Sequence, residues 1–217
     1  MKGNIMNIID LTHFISSKMP VYPNTDSPKI SDTNTIEKNG YAEKIISMST
    51  HTGTHVDSPA HMIKGSNTLD KFKINQFIGA GKVINISRIK KKIIEMDDIV
   101  SDIGKIIDID FVLFYTGWSH FWGKDQYFVD YPVLSGELVQ FLSESKLKGL
   151  GFDTISIDPV GSVVFKNHMI VFRNNMIIIE NLKNLDALTG KEFTFFCMPL
   201  KIGDSDGSPV RACAIIK

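Results

Sequence analysis

The sequence predicts a mixed α+β fold built mainly on sheet, over a single domain spanning residues 1–217. Three observations carry this expectation. Eight short runs rich in Ile, Val and Phe are bounded by Gly, Asn, Asp or Pro, as strands are. Helical periodicity is clear in one stretch only, so the strands do not alternate with helices as a regular βαβ succession requires. The sequence shows no repeat, low-complexity tract or linker that would divide it, and 217 residues suffice to bury one sizeable core.

In chain order the strand-like runs are "NIIDLT", "EKIISMST", "KVINIS", "FVLFYTG", "LKGLGFDT", "MIIIENL", "EFTFFCMPL" and "VRACAIIK". A short helix is expected at "MDDIVSDIG", ended by Gly104. The main helix falls at "LSGELVQFLSESK", with Ser135 as N-cap and Leu138, Phe141 and Leu142 as its apolar face. Cys197 and Cys213 lie among apolar neighbours, which suits reduced core thiols better than a disulfide.

The formal net charge is zero, so no global field draws in nucleic acid or an anionic membrane, and a small molecule is the expected partner. The start "MKGNIMNIIDLTHF" lacks an uninterrupted apolar signal region, and no apolar run reaches the ~18 residues of a membrane span. A cytoplasmic location is the expectation.

Half of the six histidines fall within "STHTGTHVDSPAH", Ser49 to His61. In a straight strand His51 and His55 would stand ~13 Å apart, too far to share an ion. Helix formation is opposed by Gly53, Thr52, Thr54 and Pro59. The chain should therefore bend, with Gly53 as the natural pivot. A bent loop can direct His51, His55 and Asp57 to one point, a ligand set suited to Zn²⁺ or Mn²⁺. The competing reading is an ordinary polar turn. Further along, His168 stands between a polar turn and an apolar segment, and Glu180 ends "MIIIE". A carboxylate buried there needs a partner or a metal, whereas one at an exposed strand end merely points to water.

"HTGTHVDSPAH" resembles the H-x-G-T-H-x-D-x-P-x-H pattern of the cyclase family of metal-dependent hydrolases, which includes kynurenine formamidase and isatin hydrolase. The likeness extends through "DLTHFISSKMPVYPN", "LFYTGW", "GFDTISID", "HMIVFRNNMIIIENLKNLDAL" and "DGSPVRACAI". It implies a swivelling β/β/α fold and a homodimer or homotetramer. It also implies a first ion on His51, His55 and Asp57, with Asp57 bridging to a second on His168 and Glu180. By the same resemblance His61 is the acid-base residue, and Tyr22 stands where the formamidases set an aromatic residue, usually Trp, against the substrate ring. Asn175 occupies a position where Gly is frequent, a change that the left-handed tolerance of Asn accommodates.

The chemistry can be reasoned from the residue types. A divalent ion acidifies water and polarises a carbonyl, and amide hydrolysis then needs a group that moves a proton to the leaving nitrogen. His61, with an ordinary pKa near ~6.5, suits that task; its alternatives are a fourth ligand or a hydrogen-bond partner of Asp57. Ser58, Thr52 and Thr54 read as supporting hydrogen-bond groups. His13 and His120 are isolated, Trp118, Phe121 and Trp122 suggest core packing or a pocket wall, and Asp204 and Asp206 in "IGDSDGSP" read as a tight turn. The family resemblance implies an arylformamidase-type hydrolysis of N-formyl-L-kynurenine, or opening of a cyclic amide such as isatin. A non-catalytic metal- or ligand-binding protein on the same fold is the other expectation.

Overall fold

The computed structural model describes residues 6–104 and 106–217. Its elements are β1 (Asn7–Asp10), β2 (Lys29–Asn34), the one-turn helix α1 (Ile36–Asn39), β3 (Glu43–Ser47), β4 (His55–Asp57), β5 (Ile78–Asn85), β6 (Ile93–Ile94), the short α2 (Val100–Ile103), β7 (Phe111–Tyr115), β8 (Val133–Leu134), α3 (Gly136–Glu144), β9 (Gly149–Phe152), α4 (Lys166–Arg173), β10 (Ile177–Glu180), β11 (Phe193–Phe196), β12 (Gly207–Pro209) and β13 (Cys213–Ile216). Seven of the eight predicted runs contain a strand, and "KVINIS" covers the second half of β5. The α+β expectation holds: a large mixed sheet with few helices.

One nine-stranded sheet takes the order β1-β13-β11-β5-β7-β9-β10-β4-β12. Its middle, β5, β7, β9 and β10, is parallel, and the strands on either side are antiparallel. Parallel strands are covered on both faces, which is why β7 reads "FVLFY" and β10 reads "IIIE" without polar alternation. Along β7, Phe111 and Leu113 enter one core with Ile177, Ile179 and Phe195. Val112 and Phe114 enter the other with Leu150, Ile178 and the α3 residues Leu138, Val139 and Leu142.

Ser135 caps α3, its hydroxyl accepting the Leu138 N–H at 3.2 Å. The apolar face differs from expectation in one residue: Val139 is buried and Phe141 is exposed, because the turn of the helix brings 138, 139 and 142 against the sheet. Two further two-stranded pairs, β2 with β3 and β6 with β8, stand apart from the main sheet. Cys197 is buried and Cys213 half-buried, and both are free thiols. Among the described residues, no helix is long and apolar enough to cross a membrane.

Candidate metal centre

The bend expected at Gly53 is present, with φ at 65°. This left-handed conformation is open to glycine at little cost. It brings the rings of His51 and His55 edge to face, 5.2 Å between centroids. Beyond the bend the chain enters strand β4 and not the loop that the sequence suggests. The two-residue repeat of this strand puts His55 and Asp57 on one side, both buried. β10 pairs antiparallel to β4 with Glu180 opposite His55. Glu180 is only 5% exposed, so it does not point to water. From the far side α4 delivers His168, whose Nδ1 is 2.7 Å from Asp158 Oδ2. Asp158 also accepts the backbone N–H of Asn167 and of His168, so one carboxylate holds both the start of α4 and the imidazole.

The five side chains face one another at short range. His51 Nδ1 lies 2.7 Å and His55 Nε2 3.1 Å from Asp57 Oδ1. His55 Nε2 is 3.6 Å from Glu180 Oε2, and His168 Nε2 is 3.5 Å from Glu180 Oε1. Ligand atoms of His51, His55 and Asp57 all lie within 4.8 Å of one another, as do those of Asp57, His168 and Glu180. Asp57 belongs to both groups.

This donor set fits a divalent ion on chemical grounds. Imidazole and carboxylate serve Zn²⁺ and Mn²⁺ alike, and two buried carboxylates demand compensating positive charge. In the protein by itself the imidazoles provide it. Burial opposes the charging of His51, but the Asp57 and Asp206 carboxylates prevail and raise its pKa to about 10. His168 is likewise raised to about 9 against burial, by Asp158 and Glu180. Against the cost of burial, His55 and His51 hold Asp57 well below the usual carboxylate range. An ion bound in this cluster would take over that charge and release protons.

His61 lies just outside the two groups, at the end of the 3₁₀ turn Pro59–His61. Its ring is 3.9 Å from that of His51 and 6.2 Å from that of His168. Burial, aided by the charges of His51 and His168 and opposed by Asp57, lowers its pKa, so the ring favours the neutral form. Tyr22 lines the same cavity of about 540 Å³, together with Met62, Ile155, Phe165 and Met169 on its apolar side. That size and mixed lining suit a small organic ligand.

Two acids of the site are not evident from the sequence. Asp206 does not lie in a mere turn: β12 begins beside it, and its carboxylate is 2.9 Å from His51 Nε2 and 3.3 Å from His61 Nδ1. Asp158 is the other; it ends the family-like segment "GFDTISID" and, like Asp206 at the head of "DGSPVRACAI", receives no role from that likeness. Thr54 and Ser58 do support the site, donating to the carbonyls of Asn181 and Asp206. His13 is away from it, stacked on Trp122 with centroids 3.9 Å apart, and His120 stands 3.5 Å from the Tyr115 hydroxyl. Trp118, Phe121 and Trp122 pack against Tyr127, Tyr131 and Ile155, so they serve a core and not the cavity wall.

A mixed sheet that gathers three imidazoles and two carboxylates from β4 and the bend before it, β10 and helix α4 at one cavity defines an α+β protein with a candidate metal centre. The chain belongs to the cyclase family, whose model matches residues 9–159. It is 31% identical over 210 residues to the kynurenine formamidase of Geobacillus thermodenitrificans, covering 94% of this chain and 95% of that one. Isatin hydrolase A of Labrenzia aggregata, solved with benzyl benzoate bound, matches with a TM-score of 0.88 and 25% identity over 97% of this chain and 94% of that one. A structure described as a potential metal-dependent hydrolase with cyclase activity matches with a TM-score of 0.80 and 29% identity, over 98% of this chain and 99% of that one.

Proposed function

We propose that this chain is a metal-dependent amidohydrolase of the arylformamidase type, converting N-formyl-L-kynurenine to L-kynurenine and formate. The observation that carries this reading is the convergence of His51, His55, Asp57, His168 and Glu180 beside a sixth group, His61, which clusters with His51 and Asp206 and stays clear of the two sets containing Asp57. In this reading His51, His55 and Asp57 would hold one divalent ion, and His168 and Glu180, with Asp57 common to both sets, would hold a second, as Zn²⁺ or Mn²⁺. When bound, the ions supply Lewis acidity to the amide carbonyl and bring the pKa of water from 15.7 towards ~7.

The chain's own residues do the rest. His61, held neutral by burial, takes the proton from water on the nitrogen not turned to Asp206 and returns it to the departing aryl amine nitrogen. Tyr22 and Phe165 flank the aryl ring and limit water around it. An aromatic stack of Tyr22 on the substrate adds roughly 0.5–1.5 kcal/mol beyond burial. A second reading, opening of a cyclic amide such as isatin, uses the same groups and has its support in the likeness to isatin hydrolase A. A homodimer or homotetramer is proposed with it, supported by the β2–β3 hairpin, which exposes Ile30, Ile45 and Ile46; light scattering at the monomer mass would reject that part.

The test is an absorbance assay of the Zn²⁺- or Mn²⁺-loaded protein on N-formylkynurenine, isatin and simple aryl formamides, alongside elemental analysis. One to two equivalents of ion and turnover of an aryl formamide are expected. Ion binding without turnover of any of these would favour a non-catalytic binding protein.

A further inference from the structure

The imidazoles of the candidate centre are each held by a second acceptor. His55 Nδ1 lies 2.8 Å from the Gly53 carbonyl, leaving Nε2 towards Asp57 and Glu180. His168 Nδ1 lies 2.7 Å from Asp158, leaving Nε2 towards Glu180. His51 is turned the other way round, with Nδ1 towards Asp57, and the acceptor on its outer nitrogen is the Asp206 carboxylate at 2.9 Å.

Several contacts fix that carboxylate. Thr50 Oγ1 donates to Asp206 Oδ1 at 3.1 Å, and both the N–H and the hydroxyl of Ser58 donate to the Asp206 carbonyl. Gly207, the next residue, has no Cβ to collide with the His51 ring, so the Asp206 backbone can come this close. The oxygen that meets His51 Nε2 also lies 3.3 Å from His61 Nδ1. One atom thus touches a residue of the ion cluster and the neighbouring imidazole of His61.

We propose that Asp206 is a positioning residue: its carboxylate holds the proton of His51 on Nε2, so that Nδ1 faces the ion, and orients the His61 ring from the same oxygen. Partners of this kind fix the tautomer and direction of a ligating histidine, and their loss typically costs about 10–100-fold in metal affinity or activity. The inference rests on the metal-centre reading above and adds to it a residue outside the expected ligand set.

Two variants and two readouts test it. In Zn²⁺ titrations, Asp206→Ala should weaken binding at the His51 side about 10–100-fold and leave the second equivalent unaffected. Asp206→Asn, whose amide oxygen still accepts an N–H, should recover most of the loss and also control for folding. An equal loss in both variants, with one whole equivalent of Zn²⁺ missing, would make Asp206 a ligand and overturn the proposal, as would unchanged affinity in Asp206→Ala. Nitrogen-15 NMR of the metal-free protein is independent of ion binding. The His51 ε2 proton should appear as a slowly exchanging downfield resonance in the wild type and Asp206→Asn and vanish in Asp206→Ala. Its absence from the wild type would overturn the proposal even if Zn²⁺ binds. Its presence in a protein that binds no Zn²⁺ would reject the metal reading and keep the Asp206–His51 contact.

Discussion

Gly207→Ala is a one-methyl test of how tightly the centre is packed. Gly207 pairs with Asp57 across β12 and β4 and lies beneath the His51 ring. An added Cβ would sit 2.6 Å from His51 Cε1 and 2.9 Å from Nε2, where ordinary contact begins at 3.4 Å. Because the Gly207 φ is not in the left-handed region, the whole cost is steric. The ring or the strand must give by about 0.8 Å, and His51 has little room to do so. It is held 2.7 Å from Asp57 and 2.9 Å from Asp206. A retreat of that size would take the shorter contact to about 3.5 Å, outside useful hydrogen-bond range. Overpacking of a filled site costs about 1–3 kcal/mol. Urea unfolding in the presence of a chelator should therefore show a loss of that order, and Zn²⁺ affinity at the His51 side should fall about tenfold or more. Wild-type values in both measurements would mean that edge strand β12 yields freely, and the packing argument would be wrong.

The same geometry yields three more expected outcomes. His61→Ala should lower turnover by about two to four orders of magnitude with the ions retained; loss of ion together with activity would make His61 a ligand. Tyr22→Ala should raise the Michaelis constant for an aryl formamide about tenfold, within the range of one stacking contact plus burial, and act less on a non-aromatic formamide. Equal effects on both substrates would remove the stacking role. For His13, burial foremost, with Lys183 adding and Asp10 opposing, lowers the pKa to about 4. The folded state then binds fewer protons than the unfolded chain between about pH 6.5 and 4, so stability falls as pH drops through that window. His13→Gln should flatten this part of the stability profile, and an unchanged slope in urea titrations would refute the assignment.

The strands that build the core are legible because burial on both faces leaves an unmistakable apolar run, as in Ile177 to Ile179. The elements that escape notice lack such a run. β2, "KISDTN", has no buried face, and β12, "GSP", is an edge strand tolerant of glycine and proline. Helix α4 carries β-branched Ile170 and Val171 and merges in the sequence with the neighbouring apolar segment; its first turn depends on Asp158, to which the family likeness gives no role. The site shows the same division. His51, His55, Asp57 and His61 are close in sequence, so one bend at Gly53 is enough to join them. His168 and Glu180 need the family resemblance as well. Asp206 is hidden because its partner is 155 positions away and its own neighbours, Ser205 and Gly207, describe a turn equally well.

The β2–β3 hairpin has a different thermodynamic character from the sheet beside it. Every residue of β2 and β3 is exposed apart from half-buried Asn34, and α1 between them buries nothing. Two strands joined only to each other are marginal in water. In the monomer their amides should therefore open without the rest of the molecule, exchanging with solvent deuterium at a free energy near zero while β7 and β10 exchange only through global unfolding. Substitutions within residues 29–47 would then leave the denaturation midpoint almost untouched. Within one copy of the chain that stretch carries no folding penalty for sequence change, unlike the three-residue strand β4, where each position is buried; any constraint on it would come from association between copies.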